Sequence, residues 1–412
     1  MNSSIVALCL LISILSFFGW ESVRYLVPFI IKRASRWGIL DFPNTRKTHN
    51  NPTPRLGGLA LTPALWLGSS LALLVASILK LTFLSSNLDI FSHSIAGFLV
   101  GSFGFFLLGS TDDVRRLSAG HKMLIQFCIA LIVSQFLPAP STIFGMTAWP
   151  QLSTLVFILW LTIIPNSVNL LDGIDGLTAS LVSLCLLFLS VLSIAQGELG
   201  WLLVILPLTA ALLSFLRYNW APASIFLGDS GSLLLGFTVA YLSLNFALSH
   251  SGAGTNWNPA ISVLIAFIWI SDTVFAIIRR YSKRTPKWKI LNRSVLMYLA
   301  FHLSAVRNIV YPDQGHIHHK LLKFGLGVRE AVFCLNAVYL AALFLIIPLE
   351  HWGSFSPAHP MELVGTSMVF IPASVSLSIL ILTGGIILRR RFQNGQKSES
   401  FKLTQSKSDM AA

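Results

Sequence analysis

The sequence predicts an all-α, polytopic integral membrane protein with about eleven transmembrane helices. Three observations point there. Of the 412 residues, 54% are apolar and only 11% are charged, with mean hydropathy +0.73. A soluble domain carries charge on roughly a quarter of its residues. This chain has too little polar surface to cover its apolar residues in water, and it is too apolar to be disordered. The apolar residues also collect in runs of membrane-spanning length, and Lys and Arg fall almost wholly on alternate connections between those runs.

A bilayer core takes about 20 predominantly apolar residues per helix. Scanning at that width gives eleven segments: Ile5–Ile31, Leu59–Leu79, Ser94–Ser110, Met123–Leu137, Leu152–Leu170, Leu177–Ala195, Trp201–Leu216, Ser232–Leu248, Ala260–Ile278, Ala331–Leu349 and Leu363–Leu388. The first has no cationic leader and no small-residue cleavage site, so it reads as a retained helix rather than a signal peptide. Residues 1–388 form one membrane-embedded domain, and 389–412, rich in Ser, Gln and Lys, read as a disordered cytoplasmic tail. In the long connection 279–330, Trp288, Leu291, Val295, Tyr298, Leu299 and Val306 recur at helical spacing beside Lys287, Lys289 and Arg293. That run is too short to span, which predicts a helix lying in the membrane interface. Cys9, Cys128, Cys185 and Cys334 all sit in apolar runs and are expected to be buried free thiols.

Connections after segments 1, 3, 5, 7 and 9 carry six, three, none, one and eleven Lys/Arg, and the tail adds six. The connections between them hold only Lys80, and Arg24 lies within the first segment. Basic residues stay on the cytoplasmic side, so the N-terminus is predicted outside and the C-terminus inside. Topology thus accounts for the net charge of +13, and nucleic acid is not among the expected partners.

Charged groups are costly in a membrane protein, so their placement is informative. Asp112, Asp113, Asp172, Asp175 and Asp229 occupy three separate inner connections, each at a helix end. Carboxylates gathered on one face repel each other unless a cation lies among them, and a hard divalent metal such as Mg²⁺ suits that task. Gly57, Gly58, Gly173, Gly176, Gly228 and Gly231 allow close backbone approach, and helix N-termini beside them can face an anion. Arg46, Lys47, Arg55 and Lys122 add positive charge on the same face, and His316, His318 and His319 form an HxHH cluster. Each feature has a plain structural account: a solvated DD cap, an ordinary DGxDG turn, a snorkelling lysine, a surface histidine turn. Their coincidence on the one basic face points instead to phosphoryl transfer between a charged soluble donor and a lipid.

The motifs resemble those of the polyprenyl-phosphate N-acetylhexosamine-1-phosphate transferases. The resemblance rests on Asp41 to His49 continuing to Gly58, Asp112-Asp113 to Lys122 and Gln126, and Asn166 to Leu177. Phe226-Leu-Gly-Asp229-Ser-Gly-Ser232 and His316-Ile-His-His319 complete the five motifs in order between about Arg24 and Gly325. It implies transfer of a sugar 1-phosphate from a UDP-N-acetylhexosamine to a polyprenyl phosphate, with UMP released and Mg²⁺ required (Mn²⁺ as a substitute). The site would face the cytoplasm from a bacterial inner membrane, and homodimerisation is allowed. The HIHH form is similar to the branch using UDP-GlcNAc to start envelope glycans, and less similar to the branch using UDP-MurNAc-pentapeptide.

Position by position, the resemblance implies Asp229 as the principal Mg²⁺ ligand with Asn169 second, and Phe226 as the ring stacked on uracil. Lys47, Asp172 and Asp175 would line the nucleotide site. Asp112 and Asp113 would orient or deprotonate the lipid phosphate, and Lys122, His316, His318 and His319 would hold the diphosphate. Gln314 stands where many relatives carry Arg, and the stretch 281–312 is longer than the usual linker. Asp272, inside the ninth segment, reads as a helix-packing contact, and Glu21 with Arg24 as a local i,i+3 pair.

Overall fold

The computed structural model describes residues 3–43, 51–76, 88–140, 142–143, 146–147, 149–251, 254–282 and 315–346. The eleventh predicted segment, the tail, the interfacial helix, Arg46, Lys47 and Gln314 lie outside the described residues. Among the described residues, ten α-helices precede the histidine motif: α1 (Ser3–Trp37), α2 (Gly57–Leu74), α3 (Leu88–Arg115), α4 (Ala119–Ser134), α5 (Pro150–Leu171), α6 (Leu177–Ala195), α7 (Leu202–Asn219), α8 (Gly228–Ala247), α9 (Pro259–Ile265) and α10 (Phe267–Ser282). The seven-residue α11 (Ile317–Lys323) carries the motif, and α12 (Val328–Phe344) follows.

Among the described residues, seven helices are long and apolar enough to cross a membrane, or eight if the bent pair α9–α10 counts as one span. Each of the first ten predicted segments overlaps a helix. The ninth differs from expectation: Ala260–Ile278 is broken at Ala266, and α10 leaves α9 at 81°. The cause is that α10 is amphipathic, with Asp272 and Arg279 seven residues apart on one face, and that face must meet polar partners rather than lipid. Some helix starts fall earlier than hydropathy alone suggests because their caps are polar or proline-based. Pro150 and Pro259 begin their helices, and the Asn258 side chain accepts the Ala260 N–H at 3.2 Å.

The centre of the bundle is α8, whose membrane-length window is 94% buried. In lipid the helices gain little by hiding apolar surface, so close packing and interhelical hydrogen bonds hold them together. Gly236 lies so near α5 that a Cβ there would stand 2.6 Å from Pro165 Cα. Against α3, Gly101 leaves room for the Phe237 ring, Phe105 stacks on Phe237 at 5.1 Å, and the buried Tyr241 hydroxyl donates to Ser94 O at 2.7 Å. The Trp160 indole N–H reaches the Ser243 hydroxyl at 3.0 Å.

The fold is not purely helical. β1 (Leu40–Asp41) pairs antiparallel with β2 (Thr53–Pro54). At the other end of the bundle β3 (Thr142–Ile143), β4 (Met146–Thr147), β5 (Leu248–Ser251) and β6 (Gly254–Trp257) form a sheet in the order β4-β3-β6-β5, with β3 and β6 parallel. Connections that leave a helix lose its internal hydrogen bonds, and pairing across loops satisfies those groups. The cysteine expectation also needs correction. All four thiols are free, but only Cys185 is buried, whereas Cys9 and Cys128 lie on the outside of the bundle. An apolar run in a membrane helix has a lipid-facing side as well as a packed one.

Candidate active site

The connections after predicted segments 1, 3, 5, 7 and 9 meet at the N-terminal end of α8. The first is fastened to the fourth by backbone bonds. Leu56 turns the chain with φ +86°, after which Gly57 and Gly58 N–H donate to Phe226 O and Leu227 O, both at 3.0 Å. Phe226 N–H returns a bond to Pro54 O at 2.9 Å. Gly58 has to be glycine here, because a Cβ would collide with the Gly231 backbone on α8. Arg55 forms an ion pair with the buried Asp41 of β1.

The two acids at the end of α3 have different partners. Asp113, 8% exposed, accepts the backbone N–H groups of Asp229 and Ser230, each at 2.9 Å. It therefore caps α8 from another helix, satisfying two donors that a helix start leaves unbonded. Gly228 turns with φ +69°, and a Cβ there would press on the Asp113 carboxylate. Asp112 instead accepts Leu117 N–H at 2.7 Å and the Lys122 ammonium at 2.8 Å. The same ammonium pairs with Asp229 Oδ2, so Asp112, Lys122 and Asp229 form one charged chain.

A cavity of about 300 Å³ opens beside that chain. Arg55, Asn169, Asp172, Asp175, Phe226, Asp229 and His319 all line it. Arg55 and Asp229 are shared with a neighbouring depression of about 490 Å³ that also exposes Asp112 and Arg116. Asp175 accepts Ala223 N–H at 2.9 Å, which ties the DGID turn to the loop before Phe226. Asp172 is pushed up to about 7, first by desolvation in the cavity wall and then by the charges of Asp229, Asp113 and Asp175.

The histidines divide. His319 lines the cavity. His318, 1% exposed, packs against Gly173 of the DGID turn, and among the described residues neither ring nitrogen has a hydrogen-bond partner. Burial, then the adjacent His319 and His316, push His318 down to about 3, so it is neutral at pH 7. His316 lies behind the wall, its Nδ1 2.6 Å from Asp272 Oδ2.

The crowded carboxylates and the buried Asn169 amide nitrogen, which has no hydrogen-bond partner among the described residues, fit a site that takes a further charged group. Among the described residues no three His, Cys, Asp or Glu side chains could hold a metal by themselves. A divalent ion here would draw on one or two carboxylates and on water and phosphate oxygens, the habit of Mg²⁺.

Four residues have a place here to which the sequence alone assigned no role at the site. Asn219, 5% exposed, accepts Gly176 N–H at 3.1 Å and donates to Ile225 O at 2.8 Å, joining two motifs. Asp41 and Ser232 line the cavity, and Asp272 holds the histidine segment. The signal for Asp272 was its charge inside an apolar helix. Asn219, one polar residue at the end of α7, carried none. Elsewhere, Gln126 and Asn166 bond to each other at 2.5 Å between α4 and α5, and Arg24 pairs with Glu21 at 3.2 Å as its spacing suggested.

Comparison with known proteins bears on this arrangement. The profile described as glycosyl transferase family 4 matches residues 95–247. A Bacillus subtilis protein named probable undecaprenyl-phosphate N-acetylglucosaminyl 1-phosphate transferase is 31% identical over 77% of this chain and 79% of its own length. A Mycolicibacterium smegmatis decaprenyl-phosphate N-acetylglucosaminephosphotransferase is 27% identical over 87% of this chain and 84% of its own. A phospho-N-acetylmuramoyl-pentapeptide-transferase of Caldanaerobacter subterraneus is 29% identical, over 79% of this chain and 92% of its own. The motifs converge on one cavity and the similarity runs through most of both chains, so this protein belongs to glycosyl transferase family 4, among the polyprenyl-phosphate hexosamine-1-phosphate transferases.

Proposed function

We propose that the protein transfers an N-acetylhexosamine 1-phosphate, GlcNAc 1-phosphate first, from a UDP-sugar to a polyprenyl phosphate. The observation that carries this is that four motif-bearing connections line one cavity walled by Asp229, Asp172, Arg55 and His319, and the remaining one reaches Asp229 through Lys122. The names of the Bacillus and Mycolicibacterium relatives support the same donor and acceptor. In this reading the chain crosses a bacterial inner membrane eleven times with its N-terminus outside. The cavity faces the cytoplasm, where the product starts a lipid-linked envelope glycan.

The chemistry is a direct displacement. An oxygen of the acceptor phosphate bonds to the β-phosphorus of the donor, the bond from that phosphorus to the bridging oxygen breaks, and UMP leaves with the electron pair. A phosphate monoester is largely dianionic near neutral pH, with a second pKa of about 6, so no base is required. Asp112 and Asp113 then serve to place Lys122 and Asp229. Phe226 stacks on uracil, Asp172 and Asp175 line the nucleotide, and Lys122, Arg55 and His319 face the diphosphate. Arg46 and Lys47 add positive charge from the first connection. Asp229 and Asn169 would hold Mg²⁺, which supplies charge neutralisation on the diphosphate and the departing UMP.

A second donor is favoured by one observation, the similarity to the pentapeptide transferase of Caldanaerobacter. The test is a panel of UDP-GlcNAc, UDP-GalNAc and UDP-MurNAc-pentapeptide with undecaprenyl phosphate, read as UMP released by the purified protein with and without Mg²⁺. UDP-GlcNAc with Mg²⁺ is expected to give the fastest release. Faster release from the pentapeptide donor would overturn the donor assignment, and release from none would overturn the transfer itself.

A further inference from the structure

Asp272 does not line the cavity, yet it is 1% exposed within α10. A carboxylate in such a place is costly unless its oxygens are bonded, so its partners are informative. Both oxygens are taken by the histidine segment: Oδ2 lies 2.6 Å from His316 Nδ1, and Oδ1 accepts Ile317 N–H at 2.7 Å. Seven residues on, along the same face of α10, the Arg279 guanidinium lies against Gly315, where a Cβ would displace it. The helix thus grips Gly315, His316 and Ile317 where the chain enters α11. A helix of seven residues does not hold its shape alone. Its fixed points are this grip and the buried His318 and Leu321. His319, two residues beyond the Ile317 anchor, lines the cavity.

We propose that Asp272 is a positioning residue for sugar-phosphate transfer. It holds the His316 ring with the proton on Nδ1, anchors the first turn of α11, and so sets where His319 stands. Which imidazole nitrogen bears the proton is decided by the bond the other makes, and outer partners of this kind typically govern rates by about 10- to 100-fold. The proposal rests on the transfer reading above.

The test pairs Asp272→Asn with His316→Gln in the full-length protein. Asparagine leaves an oxygen for Ile317 N–H but turns an amide NH₂ toward Nδ1, which forces the ring to change tautomer or rotate. The expected result for Asp272→Asn is a kcat for UMP release lower by about 10- to 100-fold, with the donor KM and melting temperature unchanged. Adding His316→Gln should then cost little more, and Asp272→Glu, which keeps the charge, should recover part of the rate. Deuterium uptake across 315–323 should rise in Asp272→Asn without change in α8. Wild-type kcat in Asp272→Asn, multiplied losses in the double variant, or a loss that merely follows the melting temperature would each overturn the proposal. Unchanged deuterium uptake would overturn it independently of activity. Absence of UMP release from the wild-type protein would instead count against the transfer reading.

Discussion

At the Gly228 end of α8, the first N–H groups are held by Asp113, and Asp229 is linked through Lys122 to Asp112. At the Ala247 end, about 30 Å away at 1.5 Å per residue, the chain passes directly into β5, and the connections pair as short strands. Among the described residues the far end carries Asp89 and Glu198 and no Lys or Arg. Both ends must satisfy backbone groups that helices leave open. One does it by strand pairing; the other does it with carboxylates from distant helices. At the site end, then, an aspartate is not catalytic merely because it is charged. Asp113 has both oxygens occupied by backbone donors, while Asp229 faces the cavity.

This contrast can be broken by substitution. The largest effect is expected at Asp229: Asn there should lower UMP release by about a thousandfold, the scale of losing a main electrostatic stabiliser, with the melting temperature nearly unchanged. Kinetics and thermal melts of the purified variant check both halves. At Asp113, Asn should lower stability by about 1–2 kcal/mol, as loss of a helix cap does, and lower turnover with it by releasing Asp229. Normal stability with abolished turnover would make Asp113 a chemical participant instead.

The pH dependence sharpens the same point. The Asp172 carboxyl is raised from 3.8 to about 7 in the folded protein. Between those values this carboxyl is protonated in the folded state and ionised in the unfolded one, so its contribution to stability falls as pH rises through that window. Without divalent ions the melting temperature of the wild-type protein, taken relative to that of Asp172→Asn, should decline from about pH 4 to about pH 7 and then level. Asp172→Asn should remove that component, which melts in EDTA across the range would detect. The smallest effect belongs to the far end. Ser243→Ala removes the acceptor of the Trp160 N–H and should cost about 1 kcal/mol without altering kcat; a rate loss there would erase the distinction between the ends.

How far the molecule could be read in advance follows from what each feature depends on. Helices α2 to α8 were visible as apolar runs, and Leu177–Ala195 matches α6 at both ends. The acids stood out because few charged residues occur in such a chain, and the basic-residue asymmetry placed them on one face before any contact was known. Asp113 was legible as a site residue, but not as a cap for backbone groups 116 residues away. Asn219 was invisible because its bonds to Gly176 and Ile225 depend on how α7 meets two turns. The bend at Ala266 lacks the proline or glycine that would announce it, and two-residue strands carry no periodicity to detect.

The most direct measurement is the stoichiometry of UMP against lipid-linked sugar, formed by the purified protein from UDP-GlcNAc and undecaprenyl phosphate. A single displacement at one cavity predicts one UMP for each polyprenyl-diphosphate sugar, and none when the acceptor lipid is left out. UMP appearing without acceptor, or in excess of the lipid product, would contradict it.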